Sequence, residues 1–318
     1  MVDLALAIAL AAGIGLPHLL PLQRVAPMPA AVLWILALGL RAVVAIGTAL
    51  FFFLYLPRTG LFAEIAARCW HEVLPVLATH LGLSAHPLAH AAVIVPALAL
   101  AGSLLWLALG MARGWLSLHR QLRRPLGEGP WGSTVVPQTG ILVAVTAVGR
   151  GKIILSPGAL GGLDRDELRA SVAHEAGHLH RRHRPLLFGA SILVALARVL
   201  PGTRRAEREL VFHLERDADG YAVRQTQNPL ALASAICKAA SIPAAVVGLD
   251  GGGRVTRRLK ILMDGDQPRS RPLEWLVAAL SIALCASLLA LAITLPAWAL
   301  AGPPGTAASA ALHHDCPA

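Results

Sequence analysis

Long apolar stretches occupy both ends of this chain, and most of its charged residues lie in one region between them. Three hydrophobic runs contain no Asp, Glu, Lys or Arg and are long enough to cross a bilayer: Leu4–Gln23, Ala91–Ala112 and Leu276–Leu295. A fourth run, Pro29–Leu56, is also long enough but carries Arg41 in its interior. A cation inside a membrane is costly, so Arg41 should face other helices, water or headgroups, and a structural role is favoured over a functional one. The pattern predicts about four transmembrane helices.

The charged region, residues 113–272, reads as mixed α and β with helices dominant. Two strand-like runs, residues 140–145 and 152–156, are separated by Gly149-Arg150-Gly151. Leu186–Leu200 is apolar but short, which is typical of a buried or interfacial helix rather than a span.

Composition and charge indicate a membrane protein with this region in the cytoplasm. The chain is 56% hydrophobic and 14% charged, and its mean hydropathy of +0.62 is far above that of an ordinary soluble domain. Residues 113–272 hold 24 of the 28 Lys and Arg residues and 13 of the 18 Asp and Glu residues, a net charge of +11. By the positive-inside rule this region is cytoplasmic. Four spans would then leave the N-terminus, the loop 57–90 and the tail 302–318 outside.

The same distribution explains the isoelectric point near 10.6 without nucleic acid. Positive-inside loops and attraction to anionic inner-leaflet lipids account for the basic residues. The sequence contains no helix-turn-helix, zinc-finger or single-strand stacking pattern, so direct nucleic-acid binding is not expected.

The chemistry is concentrated in His174-Glu175-Ala176-Gly177-His178. Residues four apart share one helical face, so His174 and His178 can both offer an imidazole nitrogen to one zinc ion. Glu175 can reach a water at the open position of the metal and act as general base for peptide hydrolysis. Asp164 and Glu167 form a capping-box pattern ahead of the motif, and the helix is expected to run to Arg184, before Pro185.

A third ligand is expected from Glu215-Arg216-Asp217-Ala218-Asp219. Glu215 and Asp219 are four apart, on a helix that Thr203 could cap and Pro229 would terminate. Glu215 is interpreted as the zinc ligand and Asp219 as a carboxylate that orients one histidine. The alternative is that both acids belong to a solvated, charged helix face.

The stretch "DRDELRASVAHEAGHLHRRHR" followed by "ERDAD" resembles the BlaR/MecR-type membrane zinc metallopeptidases. It is more distantly similar to the HtpX-like and CAAX prenyl proteases, and the close part covers about residues 146–221. The resemblance implies zinc ligands at His174, His178 and Glu215, a catalytic base at Glu175 and a supporting aspartate at Asp219. It assigns no role to His183. In peptidases of this kind a strand beside the active-site helix binds the substrate backbone, and residues 152–156 are the candidate; a structural hairpin is equally expected.

Together these features predict a multi-pass α-helical membrane protein with an inserted, mainly α, α+β zincin-like metalloprotease domain. The expected organisation is a membrane region at 1–112 with spans at about 4–23, 29–56 and 91–112, a cytoplasmic protease domain at 113–272, a final span within 273–301 and a tail at 302–318. The predicted activity is a zinc-dependent metalloendopeptidase with one Zn²⁺ per chain in a bacterial cell membrane, cutting a cytoplasmic protein near the inner leaflet.

Three readings of the function stay open at this point. The resemblance suggests a BlaI/MecI-like transcriptional repressor as substrate. Membrane protein quality control of the HtpX type is the alternative within the same enzyme class. A non-enzymatic zinc-binding receptor is the alternative outside it, although a structural site has no use for Glu175.

The predicted outer face carries further candidate ligands. Cys69 and Cys316 could form a disulfide there. Histidines at positions 71, 80, 86, 90, 313 and 314 could sense a metal ion or acidity, against the simpler reading of scattered surface residues.

Overall fold

The protein is described by a computed structural model that covers residues 10–54, 86–122, 125–138, 140–146, 151–240, 251–265 and 269–301. The proposed Cys69–Cys316 pair, His71, His80, His313 and His314 lie outside these residues, as does the tail from residue 302.

The described part of the chain is mostly helical, with one small sheet. The α-helices are α1 (Pro27–Leu54), α2 (His86–Leu122), α3 (Pro157–Gly162), α4 (Arg165–His180), α5 (His183–Leu196), α6 (Thr203–Thr226), α7 (Pro229–Ala240), α8 (Gly251–Asp264) and α9 (Arg271–Ala301). The strands are β1 (Gly127–Glu128), β2 (Thr134–Val135), β3 (Val143–Val145) and β4 (Ile153–Leu155).

Within the described residues, three helices are long and apolar enough to cross a membrane: Pro27–Leu50 in α1, Leu98–Ser117 in α2 and Arg271–Thr294 in α9. They coincide with three of the four predicted runs, so the prediction of long apolar helices at these places is confirmed. Leu186–Leu200 was predicted as a short helix and corresponds to α5, which packs against α1 and α2.

The first run differs from its prediction as one continuous helix. Residues 10–15 are helical, but two 3₁₀ turns follow, at Leu16–His18 and Leu22–Arg24. Pro17 and Pro21 explain the interruption, because proline has no amide hydrogen for the helical ladder and its ring crowds the preceding turn. The prediction of a transmembrane helix from Leu4 to Gln23 is therefore wrong for residues 16–23, where the continuous helix has ended.

Arg41 lies inside the protein and is 1% exposed. Its Nη2 donates to the Ile14 carbonyl at 2.9 Å and lies 2.8 Å from His18 Nε2. The preference for a structural role agrees with these contacts, which tie α1 to the N-terminal turns.

Three apolar cores lie within the described residues. The largest core unites the N-terminal turns and α1 with α5, α6 and α9. The second packs β4, α3 and α4 against α7, and the third joins α4, α6 and α7. Helices α4 and α6 therefore lie between the apolar helices on one side and the sheet on the other.

The sheet has the order β1-β2-β4-β3. The first and last pairs are antiparallel and β2 pairs with β4 in parallel. The predicted hairpin of the two strand-like runs is confirmed, with Val143 opposite Leu155 and Val145 opposite Ile153.

Candidate metal centre

The helix that carries the histidine pair starts at a complete capping box. Asp164 accepts a hydrogen bond from the Glu167 amide at 2.8 Å, and Glu167 accepts one from the Asp164 amide at 2.8 Å. Lys238 of α7 donates to the same Glu167 carboxylate at 2.6 Å. The predicted start of α4 is thus confirmed, and the helix is fixed to α7 at that end.

The predicted end of α4 is wrong. The helix stops at His180 rather than Arg184, and Arg182 takes a left-handed conformation with φ 55°. Pro185 does not end a helix; it lies in the first turn of α5, where the missing amide hydrogen would have no helical partner in any case. The turn redirects the chain so that His183 points back toward α4.

Gly177 allows the second ligand-bearing helix to approach. A Cβ at this position would lie 3.2 Å from Tyr221 Cβ and 3.3 Å from Ala218 Cα, both on α6. Helix α6 is itself capped by Gly202 rather than by Thr203, whose hydroxyl donates to the carbonyls of Ala197 and Leu200. The cap predicted at Thr203 is wrong, whereas the end of α6 before Pro229 is confirmed.

Close packing of α4 and α6 brings three candidate ligands together. His174 Nε2 lies 3.2 Å from His178 Nε2 and 3.4 Å from Glu215 Oε2, while His178 Nε2 lies 3.5 Å from Glu215 Oε1. Tetrahedral zinc with ligand bonds of about 2.0–2.1 Å separates its ligand atoms by about 3.3–3.4 Å. The three edges of the triangle therefore fit one zinc ion without rearrangement of the backbone.

Asp219 lies behind the first histidine, where the sequence places it. Its Oδ1 is 2.9 Å from His174 Nδ1, which leaves Nε2 directed at the other two ligands. Burial would lower the pKa of His174, but contacts with Asp219 and Glu215 outweigh it and raise the pKa to about 10. A metal ion at the triangle would replace the Nε2 proton of this imidazolium, which faces Glu215, while Nδ1–H still donates to Asp219.

Arg258 of α8 contacts the carboxylates of Asp219 and Glu215. The sequence pattern did not predict a role for this residue. It donates to Asp219 Oδ2 and Oδ1 at 2.8 and 2.7 Å, and its Nη1 lies 2.8 Å from Glu215 Oε2. Burial would raise the pKa of Glu215, but His174 and Arg258 lower it well below its usual range. Glu215 is thereby kept as the anion that a metal requires.

The second histidine has a support that sequence analysis left without a role. His183 is fully buried; its Nδ1 lies 3.0 Å from His178 Nδ1 and its Nε2 lies 3.1 Å from Asp217 Oδ2. Burial, more than the cations nearby, lowers the pKa of His178 to about 4, so the ring is neutral near pH 7 and can coordinate. The sequence shows His183 five residues after His178. Its contact with His178 could not be predicted from that spacing, because it depends on the tight turn at Arg182.

Glu175 lies beside the triangle and next to strand β3. Burial raises the pKa of its carboxyl to about 7, although His174, Arg258 and a hydrogen bond from the Val145 backbone favour the anion. A carboxylate with a pKa near the working pH is suited to accept a proton and to return it.

The strand at the free edge is β3, not the expected run 152–156. Strand β4 is paired on both sides, so its backbone groups are already used, and its candidacy for substrate binding is wrong. The Thr146 amide donates to Lys152 and the Ser156 amide to Leu142, both across the hairpin. Because amide directions alternate in an antiparallel ladder, Val143 and Val145 present their backbone groups to the outside. In the described residues no strand covers that edge.

Comparison with known proteins gives no matching family model, no matching curated protein and no matching solved structure. The geometry of the centre therefore carries the functional conclusion.

Proposed function

We propose that this protein is a membrane-embedded zinc metalloendopeptidase of the BlaR/MecR type. The observation that carries the proposal is the triangle of His174, His178 and Glu215, whose edges of 3.2, 3.4 and 3.5 Å fit tetrahedral zinc. A glutamate adjacent to the first ligand distinguishes a hydrolytic site from a structural one, which would need no base.

The residues of the chain divide the chemistry among them. Zinc, when bound, polarises the scissile carbonyl and makes water more acidic. Glu175 accepts the proton of the attacking water and delivers it to the departing amine. Asp219 and His183 keep the two imidazoles oriented, and Arg258 keeps Glu215 and Asp219 in place as anions.

The free edge of β3 supplies the substrate-binding element of the proposal. An extended peptide can add to this edge through the amide and carbonyl of Val143 and the carbonyl of Val145. Val145 also donates to Glu175, so a peptide bound there lies beside the base. Binding through backbone groups accepts many sequences, and the identity of the cleaved bond is then set by side-chain contacts around the edge.

Membrane insertion of α1, α2 and α9 is part of the proposal. Large apolar side chains of α2 and α9 are exposed on the protein surface, among them Leu98, Trp106, Ile282 and Ile293. In water such a surface would be unfavourable, whereas lipid chains cover it without cost. The excess of basic residues in 113–272 supports a cytoplasmic position for the catalytic region, and the proposed substrate is a cytoplasmic protein such as a BlaI/MecI-like repressor.

Two experiments test these parts separately. The full chain, purified in detergent, should contain one zinc per chain and cleave candidate repressors, with activity lost to a chelator and restored by zinc. Absence of zinc from active protein would overturn the metal assignment. Reporter fusions after Gly127 and after Pro303 should report cytoplasm and exterior respectively, and the same side for both would overturn the single final span.

A further inference from the structure

A second polar cavity lies away from the metal triangle. Its volume is about 340 Å³, within the usual range for small-ligand sites. The N-terminal 3₁₀ turns, the first turns of α1, the N-terminal half of α6 and Arg257 of α8 form its walls. The proposed peptidase activity uses none of these residues.

Two residues of the cavity lining, His18 and Trp34, carry hydrogen-bond donors for which the described residues supply no acceptor. Arg41 can only donate, so its 2.8 Å contact with His18 Nε2 makes Nε2 an acceptor and places the ring hydrogen of a neutral His18 on Nδ1. His18 Nδ1 is buried and has no partner. The indole Nε1 of Trp34, a residue that is 2% exposed, also has none, and indole nitrogen is a donor only.

Two further side chains of the lining, Arg257 and His213, also hold polar atoms without a partner among the described residues. Arg257 directs Nη1 and Nη2 at Glu209, at 2.8 and 3.1 Å, but its Nε is buried without a partner. His213 is fully buried, and neither ring nitrogen has a partner among the described residues; its neutral ring offers one donor and one acceptor. Buried polar atoms are nearly always paired, and four lining residues hold a donor that has no partner in the described part of the chain; this indicates a ligand that accepts hydrogen bonds.

The charge of the lining determines what kind of acceptor fits. Glu209 is the acidic residue of the wall, and its ion pair with Arg257 neutralises it. Arg24 and Arg205 remain, so the cavity carries an excess of two positive charges. Several donors from different directions with two cations suit a tetrahedral oxyanion.

We propose that this cavity binds a phosphate group. Two sources offer that chemistry: the headgroup of an anionic phospholipid and free phosphate. Position favours the lipid, because Arg24 follows the first apolar run and precedes α1, at the cytoplasmic membrane surface in the topology proposed above. Only the choice of source depends on that topology.

A phosphate bound in this cavity would contact α6, the helix that also carries the candidate metal ligand Glu215. Glu209 and His213 lie on the same helix as Glu215, and Arg216 donates to the Val25 carbonyl at 3.0 Å. A phosphate bound between His18, Trp34 and Arg205 therefore joins the N-terminal turns to the helix that carries the third ligand.

Calorimetric titration of the delipidated full chain in non-ionic detergent tests the proposal. The probes are inorganic phosphate, short-chain phosphatidylglycerol and, as a ligand without phosphate, short-chain diacylglycerol. Trp34→Phe removes one neutral donor and should weaken binding about fivefold, while Arg205→Gln removes a charged contact and should weaken it about tenfold. The matched controls are Trp115→Phe, on the exposed face of α2, and Arg204→Gln, exposed beside Arg205.

Saturable binding of both phosphate probes, weakened in the two cavity variants alone, supports a site for free phosphate. Binding of phosphatidylglycerol alone, with the same variant pattern, supports a lipid headgroup. The proposal is overturned if neither probe saturates, if diacylglycerol binds equally well, or if the controls weaken binding as much as the cavity variants. Zinc content and peptide cleavage, measured on the same preparations, report on the peptidase independently.

Discussion

Arg258 donates two nearly parallel hydrogen bonds to Asp219, Nε to Oδ2 at 2.8 Å and Nη2 to Oδ1 at 2.7 Å. The same guanidinium reaches Glu215 at 2.8 Å, so one planar cation fixes both the third candidate ligand and the carboxylate behind His174. Planarity is what makes this possible, because the guanidinium presents donors along two edges at once.

The first prediction concerns that geometry. Arg258→Lys keeps the charge but loses the planar fork, so it should lower zinc affinity by about 10- to 100-fold, as loss of outer support for ligands usually does. Competition with a chromophoric chelator measures the affinity. Arg254→Lys, one turn earlier on α8, is the control and should leave the affinity unchanged; equal affinities for the two variants would contradict the role given to Arg258.

The second prediction concerns the approach of α4 to α6. Gly177→Ala places a methyl group 3.3 Å from the Ala218 backbone, so the helices must separate and the protein should lose about 1–3 kcal/mol from overpacking, reduced by about 1 kcal/mol of helix propensity. Glu215 moves with α6, and zinc affinity should fall. Thermal denaturation and zinc titration in detergent measure both effects.

Gly189→Ala is the matched control for this substitution. Gly189 lies within α5 and has open space where a Cβ would be, so the change should stabilise the protein by up to about 1 kcal/mol. If Gly177→Ala is as stable as Gly189→Ala and binds zinc as tightly as the native chain, close helix packing does not position Glu215.

The third prediction concerns acid stability. Burial would raise the pKa of Glu167, but hydrogen bonds from Lys238, Ser234 and the Asp164 backbone lower it below its usual value. A depressed folded-state pKa contributes stability above the unfolded pKa of about 4.3, and that contribution is lost as pH falls through the lower folded-state pKa. Glu167→Gln should therefore destabilise the protein by about 1–3 kcal/mol at pH 7 and by less near pH 3.

Melting temperatures across this pH range provide the measurement. Asp166→Asn changes an exposed acid of the same helical turn and is the control. A pH profile of Glu167→Gln that runs parallel to that of the native chain would show that the Lys238 contact does not stabilise the folded state.

Local sequence was sufficient for the parts of the fold that depend on neighbouring residues. The Asp164–Glu167 box, the four-residue spacing of His174 and His178, and the apolar length of α1 and α9 are all short-range patterns. The end of α4 was misjudged because Pro185 is as acceptable in the first turn of a helix as it is disruptive in the middle of one.

Long-range relationships were not accessible in the same way. Arg258 follows Asp219 by 39 residues and belongs to a separate helix, and nothing in its neighbours indicates a pairing with the metal site. The run 152–156 is the wrong candidate for substrate binding because β2 pairs with β4 in parallel and leaves β3 at the edge of the sheet. The alternation of apolar and polar residues within a strand does not determine such a strand order.

The most direct test of the account is Glu175→Gln in the purified, zinc-loaded chain. The variant keeps His174, His178 and Glu215, so it should contain as much zinc as the native chain. Without the base, cleavage of a peptide substrate should fall by about 10²- to 10⁴-fold. Zinc content and initial cleavage rate, measured on one preparation with the exposed His180→Ala variant as control, give the answer. Full zinc with lost cleavage is the predicted result, and full zinc with undiminished cleavage would contradict the mechanism.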